Sequence, residues 1–134
     1  MSDNPNPTPV AHRVLVATSQ SDVAMMFLGW FAKHGMYVGL VTDVAQLTDA
    51  ARFPEAPEGL VLDDSLGAAQ LAAITRGLRK QGSWSKTIIV AAGTFTEEQE
   101  VDLLKAGANE VVAKPLRMTA MLFRLQRFMK ARHG

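Results

Sequence analysis

The segment RVLVATSQSD, residues 13–22, begins as an apolar strand and continues into the start of a helix. Between them lie four small or neutral polar residues, Thr18, Ser19, Gln20 and Ser21. In parallel α/β sheets, ligands usually bind at the carboxyl end of such a strand. A phosphate-binding loop would need glycines at this place and a metal site would need carboxylates. This turn has neither, so its chemistry depends on what the neighbouring strands bring beside it.

Five short apolar runs, rich in Val, Ile and Leu, alternate with helix-length segments along the chain. Because they lack polar alternation, the runs predict strands buried on both faces, at residues 13–17, 36–41, 59–63, 87–92 and 110–113. The segments between them predict helices, at residues 21–34, 43–52, 67–81, 96–106 and 117–132. Five alternations predict an α/β domain with a doubly wound parallel sheet, right-handed crossovers and helices on both faces.

Local signals mark several helix ends. Thr96, followed three residues later by Gln99, predicts a capped helix start. Gly107 predicts a stop, and Gly35 and Gly82 predict two further stops in the same way.

Composition is that of a globular protein, with 48% hydrophobic and 20% charged residues among 134, a length that suits one domain. The absence of cysteine excludes a disulfide framework and a thiolate metal site, and it fits a reducing compartment. Residues 1–11 contain three prolines and no signal-peptide pattern, which predicts a flexible leader before a folded domain at residues 12–134. No apolar run is long enough to span a bilayer. We therefore expect a soluble, cytoplasmic protein without membrane association.

Two segments carry a family resemblance, PEGLVLDDSL at residues 57–66 and KAGANEVVAKPL at residues 105–116. They resemble, in order, the third strand with its phosphoacceptor aspartate and the Ala-Gly-Ala turn, fifth strand and Lys-Pro pair of response regulator receiver domains, chemotaxis-regulator type. The resemblance extends over about residues 12–132. It implies a flavodoxin-like five-stranded sheet in the order 2-1-3-4-5 and a role in bacterial two-component signal transduction. It places the phosphoacceptor position at Asp63 and the family's lysine position at Lys114.

Four positions depart from the pattern of that family. Receivers carry two acidic residues after the first strand, which hold Mg²⁺ beside the phosphoacceptor, and this chain has Thr18 and Ser19 there. The switch hydroxyl of the fourth strand and the switch aromatic of the fifth correspond to Ala92 and Val111. Hydroxyls are poor substitutes for carboxylates as Mg²⁺ ligands. The resemblance therefore implies a degenerate receiver, or pseudo-receiver, without Mg²⁺ or another cofactor.

The acidic residue nearest to the phosphoacceptor position is Asp64, which directly follows Asp63. It supplies a spare carboxylate of the kind that a metal site would use. Neighbouring side chains on a strand point to opposite faces of the sheet, however, so Asp64 need not converge with Asp63.

Three functions are open to such a chain. The one we favour is a stand-alone degenerate receiver that has no enzymatic activity and signals by binding another protein. That partner would be a histidine kinase, a phosphotransfer protein of a phosphorelay, or a downstream effector. The second is a response regulator phosphorylated at Asp63 with weak or altered metal dependence, in which the new negative charge would pair with Lys114.

The third function, from a different class, is a binder of a small anionic ligand, a nucleotide or a flavin, at residues 18–21. The loop precedes a helix N-terminus, which attracts anions. It lacks the glycine that would let the backbone approach a phosphate. A helix N-cap made by Ser19 or Ser21 is the simpler interpretation.

The last predicted helix is strongly basic, unlike the rest of the chain. Residues 117–134 hold five basic residues and no acidic one, although the formal net charge of the whole chain is only +1. An aromatic side chain off the apolar stripe and flanked by arginines is typical of an interface hot spot. We predict contacts with a protein partner, or with a second copy in a homodimer, at Phe123, Arg124, Arg127 and Lys130. One short basic patch is weak support for nucleic-acid binding, so we do not expect a nucleic-acid partner.

The first predicted helix offers an alternative surface. Its sequence is apolar nearly all round, and Met25 and Leu28 fall off the main apolar stripe. A helix that is apolar on several sides is either buried or docked against a partner.

Overall fold

The computed structural model describes residues 13–52 and 55–133, with side chains as far as residue 128. The predicted leader at residues 1–11 lies outside these ranges. The strands are β1 Arg13–Ala17, β2 Tyr37–Val41, β3 Gly59–Asp63, β4 Ile88–Gly93 and β5 Glu110–Ala113. The helices are α1 Ser21–Lys33, α2 Val44–Ala50, α3 Leu71–Arg79, α4 Glu97–Ala106 and α5 Met118–His133. None of the helices within the described ranges is long and apolar enough to cross a bilayer.

All five strands form one parallel sheet in the order β2-β1-β3-β4-β5. This order confirms the predicted doubly wound α/β fold and its 2-1-3-4-5 arrangement. Side chains alternate along each strand, so β3 sends Val61 to one face and Leu62 to the other. On the first face Val61 packs with Phe27 and Phe31 of α1 and with side chains of α5. On the second face Leu62 joins a cluster that includes side chains of α2, α3 and α4.

The predicted burial of every strand on both faces holds for β3 and β4 and is wrong for β2 and for β5, none of whose four residues is buried. Each residue of β3 and β4 is buried, whereas Tyr37 in β2 is 68% exposed and Leu40 is 38% exposed. The reason lies in the strand order, since β2 and β5 are the two edge strands, each with a neighbour on one side only. The helix α2 has just seven residues and packs on the face of β2 that carries Val41. Leu40 points to the opposite face of the strand, on the side of α1.

The helix predicted at residues 67–81 is shorter than the sequence pattern suggests. Two 3₁₀ turns, Asp64–Leu66 and Ala68–Gln70, precede α3, and α3 ends at Arg79. Gly67 separates the turns with a φ of +107°, a backbone conformation that a continuous right-handed helix cannot contain. Gly82 is also not a helix stop of the predicted kind, because it opens a third 3₁₀ turn.

The predicted ends of α4 are confirmed. Thr96 and Gln99 form a reciprocal capping box, in which each side chain accepts a hydrogen bond from the other residue's backbone N–H. Gly107 ends the helix in the left-handed conformation. Arg79, at the end of α3, donates two hydrogen bonds to the Gly107 carbonyl, at 2.8 and 3.0 Å. The same guanidinium donates to the Asn109 side chain, which in turn accepts from the Ile89 N–H.

Arg79 therefore ties the α4–β5 turn to the start of β4, and it also binds the carbonyls of Trp84, Ser85 and Thr87. We predict that Arg79→Met lowers the free energy of unfolding by about 2 to 3 kcal/mol, because several half-buried carbonyls lose a charged donor. Urea unfolding followed by circular dichroism measures the change. The matched control is Arg76→Met on the exposed side of α3, which we expect to unfold like the wild type. Equal midpoints for the two variants would contradict the prediction.

Candidate functional site

The carboxyl ends of β1, β3 and β5 bring three predicted site residues to one edge of the sheet. Ala17 of β1 is paired with Leu62 of β3, so the next residues, Thr18 and Asp63, lie level with each other. Lys114 directly follows β5. Because parallel strands end at the same edge, polar side chains that are distant in sequence meet here.

Asp63 is fully buried, with 0% of its surface exposed. Its Oδ1 lies 2.8 Å from the Nζ of Lys114 in an ion pair. Its Oδ2 accepts a hydrogen bond from the Thr18 hydroxyl at 2.9 Å and another from the Ser65 N–H at 3.2 Å. Both oxygens of the carboxylate therefore already have partners within the protein.

The Thr18–Ser21 turn serves this carboxylate. The Thr18 proton goes to Asp63, so at the 3.1 Å contact between the Thr18 and Ser65 hydroxyls it is Ser65 that donates. Ser65 Oγ also accepts from the Ser19 N–H at 2.9 Å, and Thr18 Oγ1 accepts from the Gln20 N–H at 3.2 Å. The N-cap of α1 is Gln20, with no side-chain cap, so the expected cap by Ser19 or Ser21 is not formed.

These bonds also bear on the anionic-ligand hypothesis. The amides of Ser19 and Gln20 both donate to hydroxyls of the protein, so neither is available to a phosphate. The turn thus holds Asp63, and two of its amides are engaged within the protein and not available to an anion.

Asp64 joins the candidate site although strand alternation did not favour its convergence with Asp63. Its Oδ1 lies 2.7 Å from Lys114 Nζ, so it converges with Asp63 on one ammonium group. Strand alternation does not apply to it, because β3 ends at Asp63 and Asp64 begins a 3₁₀ turn. Its Oδ2 accepts from the Thr94 N–H at 2.9 Å. A Cβ on Gly93 would lie 2.4 Å from the Asp64 Cγ, so the glycine leaves space for this side chain.

Burial is the largest influence on both partners of the buried ion pair. It would raise the pKa of Asp63, but Lys114 and the hydrogen bonds from Ser65 and Thr18 prevail and hold that pKa below its ordinary 3.8. Burial would lower the pKa of Lys114, but Asp63 and Asp64 prevail and raise that pKa above its ordinary 10.5. Both groups are therefore charged at neutral pH.

The donor set does not fit a divalent cation. Among the described residues, no group of three or more His, Cys, Asp or Glu side chains is placed to hold a metal. The two carboxylates that converge, Asp63 and Asp64, already share the ammonium of Lys114. The other oxygens nearby belong to neutral hydroxyls, which are weak ligands for Mg²⁺.

Of the two predicted switch positions, Ala92 lies beside Asp63 and Val111 lies on β5, the strand that precedes Lys114. Ala92 is buried in β4 and is paired in register with Asp63, where its methyl group offers no hydrogen bond. Val111 is half-buried in β5 and packs against the apolar cluster that contains Leu62. The switching roles that the resemblance assigns to these positions stay predictions.

The predicted partner-binding residues lie on α5. Phe123 is 61% exposed, Arg127 is exposed, and Arg124 forms an ion pair with Glu110 of β5 at 2.6 Å. The side chain of Lys130 lies outside the part of the chain that the structure describes. On the alternative surface of α1, Met25 is 67% exposed and Leu28 is half-buried.

We predict that Asp63→Asn flattens the acid side of the stability profile. A carboxyl whose folded pKa is lowered stabilises the fold above its unfolded pKa, and this contribution is lost as the pH falls through the ordinary 3.8 and then through the lower folded value. The asparagine variant has no such contribution to lose. Urea unfolding at several pH values in this window, with the exposed Asp102→Asn as control, measures the difference. An acid dependence in Asp63→Asn as steep as in the wild type would contradict this.

No protein-family model matches this sequence, and no curated protein matches it either. Solved structures do match in fold. A two-component response regulator from Clostridium difficile has a TM-score of 0.82 at 13% identity, over 92% of this chain and 99% of that one. The receiver domain of a sensor histidine kinase from Pseudomonas aeruginosa, with a magnesium ion in its active-site cleft, has a TM-score of 0.76 at 22% identity, over 90% and 99%. A Burkholderia pseudomallei response regulator with a phosphorylated aspartic acid, calcium and citrate has a TM-score of 0.76 at 19% identity, over 91% and 71%. The chain thus has the fold of response regulator receiver domains.

Proposed function

We propose that this protein is a receiver-type module of two-component signal transduction that works by binding another protein, without a phosphoryl switch or enzymatic activity of its own. The observation that carries the proposal is the state of Asp63, whose carboxylate is fully buried with a partner on each oxygen. Because the buried acceptor carboxylate is already paired, the surface of the domain is the part that would bind another protein.

Phosphoryl transfer places specific demands on an acceptor carboxylate. One oxygen must be free for in-line attack, and the charge of the transferred group must be stabilised, commonly by a metal ion. Here Lys114 holds one oxygen, and Thr18 and Ser65 hold the other. Attack by Asp63 would first require at least one of these bonds to break.

A second candidate is a phosphorylated receiver with Asp63 as acceptor. The observation that favours it is the Asp63–Lys114 ion pair, since an ammonium next to the carboxylate would also stabilise a phosphoryl group. The structural neighbours with a bound magnesium ion and with a phosphorylated aspartic acid point the same way.

Phosphorylation chemistry separates the two candidates. We expect that acetyl phosphate with Mg²⁺ adds no phosphoryl group, as measured by intact mass, because both oxygens of Asp63 are engaged. We also expect that beryllofluoride with Mg²⁺ barely shifts the amide resonances of residues 92–116. A receiver domain that reacts under the same conditions is the positive control. Labelling of the wild type that disappears in Asp63→Asn would overturn the proposal in favour of the second candidate.

The proposed partner surface is the exposed side of α5. Phe123 is the exposed aromatic side chain there, and Arg127 adds positive charge beside it. Arg124 is partly committed to Glu110, so its charge contributes less to an incoming partner. The first turn of α4 is acidic at Glu97, Glu98 and Glu100, and this mixture suits a partner, or a second copy, of complementary charge.

We predict that Phe123→Ala weakens partner binding by at least about tenfold and leaves the fold intact, because a desolvated aromatic anchor contributes about 2 kcal/mol or more. Surface plasmon resonance with the partner isolated from host cells measures the change, and sedimentation tests a second copy as the partner. Arg127→Glu should act mainly on the association rate and its salt dependence. Met25→Ala is the matched control on α1. Normal binding by Phe123→Ala, with binding lost in Met25 or Leu28 variants, would move the interface to α1.

A further inference from the structure

The edge strand β2 directs backbone groups away from the sheet. Within the described residues β2 pairs only with β1, and the Thr18 N–H donates to the Val41 carbonyl, so the backbone of Val41 faces β1. Alternate residues of a strand direct their N–H and C=O groups to opposite sides. Counted back from Val41, the N–H and C=O groups of Val38 and Leu40 face away from β1. Two donors and two acceptors therefore lie along this side of β2.

The residues that flank these two have their outward amides bonded within the chain. The Met36 N–H donates to the Phe31 carbonyl, and the Thr42 N–H donates to the Gln46 side chain. Residues 38–40 thus form the open edge of the sheet.

The usual protection of an edge strand is missing from β2. Its sequence, YVGLV, contains no proline and no charged side chain, and its register on β1 runs from Tyr37 to Val41 without a bulge. Prolines, charges and bulges are the features by which natural edge strands avoid pairing with another chain. An exposed edge without them is suited to the addition of an extended strand.

We infer that the strand added at the open edge is β2 of a second copy, antiparallel and centred on Gly39. Val38 then lies opposite Leu40 of the second copy, and Leu40 lies opposite its Val38. Each of these pairs exchanges two hydrogen bonds, which gives four in all. The two five-stranded sheets join across a two-fold axis, in an isologous contact. This surface is separate from the α5 surface of the proposed function.

The strand is complementary to itself in this register. Gly39 meets Gly39 of the second copy as a pair without mutual hydrogen bonds, in which the Cα atoms approach to about 4.5 Å, and neither residue has a side chain there. Val38 and Leu40 of different copies lie side by side on the face of α1, where Val38 packs beside the Phe27 cluster. These cross-strand pairs are apolar, so no like charges oppose each other.

Charge complementarity at the two ends of β2 also favours a second copy. The exposed Lys33, in the last turn of α1, precedes β2, and the exposed Asp43 follows it. The register that pairs residue 38 with residue 40 also sets residue 35 level with residue 43. The segment that carries Lys33 in one copy therefore approaches Asp43 of the other, and the two-fold axis repeats this at the opposite end.

Sedimentation equilibrium of the full chain measures the association. One short strand from each copy buries less area than a standard interface, so we expect a dimer with a dissociation constant of about 10 to 100 µM. Leu40→Pro removes two of the four bonds between the copies and leaves the bonds to β1, because the N–H of residue 40 faces the open edge. We expect this variant to dimerise at least about tenfold more weakly. The matched control is Leu40→Ala, which retains the N–H and should lose about threefold or less.

Amide hydrogen exchange on the wild type tests the same contact without a substitution. At protein concentrations above the dissociation constant, the amides of Val38 and Leu40 should exchange slowly, and dilution should make them exchange fast. The Gly39 amide faces β1, so it is the internal control and should be protected at both concentrations.

Two results would overturn the inference. One is a wild type that stays monomeric up to about 1 mM. The other is a dimer in which the Val38 and Leu40 amides exchange fast and which Leu40→Pro leaves intact. A dimer that is lost in Phe123→Ala and retained in Leu40→Pro would assign the second copy to α5. That outcome would overturn the β2 contact alone, since the proposed function is tested separately by acetyl phosphate labelling and by Phe123→Ala.

Discussion

The carboxylate of Asp63 is the group around which the residues at the carboxyl ends of β1, β3 and β5 are arranged. A charge with no exposed surface is tolerated only when an opposite charge and hydrogen bonds compensate for its lost hydration. Removal of one member of a buried pair typically costs about 3 to 5 kcal/mol. The register of β1 on β3, the Thr18 turn, the 3₁₀ turn after β3 and the position of Lys114 after β5 all contribute to meeting that requirement. At this edge of the sheet, ion pairs and hydrogen bonds connect Asp63 with Lys114, Thr18 and Ser65.

Much of the fold could be read from the sequence because its signals are local. Apolar runs rich in Val and Ile set the strands, and the Thr96–Gln99 box and Gly107 set the ends of α4. The exposure of β2 could not be read in the same way, since it depends on which strand lies at the edge of the assembled sheet. The break of the 67–81 helix depends on the conformation of a single residue, Gly67, which the periodicity of the segment does not register.

The candidate site was predictable in part. The resemblance of two segments to receiver domains identified Asp63 and Lys114 as site positions. The parallel topology places both residues at the carboxyl ends of the strands. The partner of Thr18 was not predictable, because a hydroxyl can donate to any acceptor that the tertiary structure brings close. Asp64 was misjudged because strand alternation was extended one residue past the end of β3, into a turn that redirects the side chain toward Lys114.

The close approach of Gly93 to Asp64 makes the tolerance of each position conditional on the other. A side chain at position 93 would meet the carboxylate at 2.4 Å, so an aspartate at 64 requires a glycine at 93. The Asp64 Cβ lies equally near, at 2.4 Å, so only a glycine at 64 would relax that requirement. Substitutions at the two positions are therefore order-dependent: with the glycine in place an aspartate can be acquired at 64, but with the aspartate in place the glycine cannot readily be replaced. A replacement of Gly93 must therefore be preceded by loss of the whole side chain at 64.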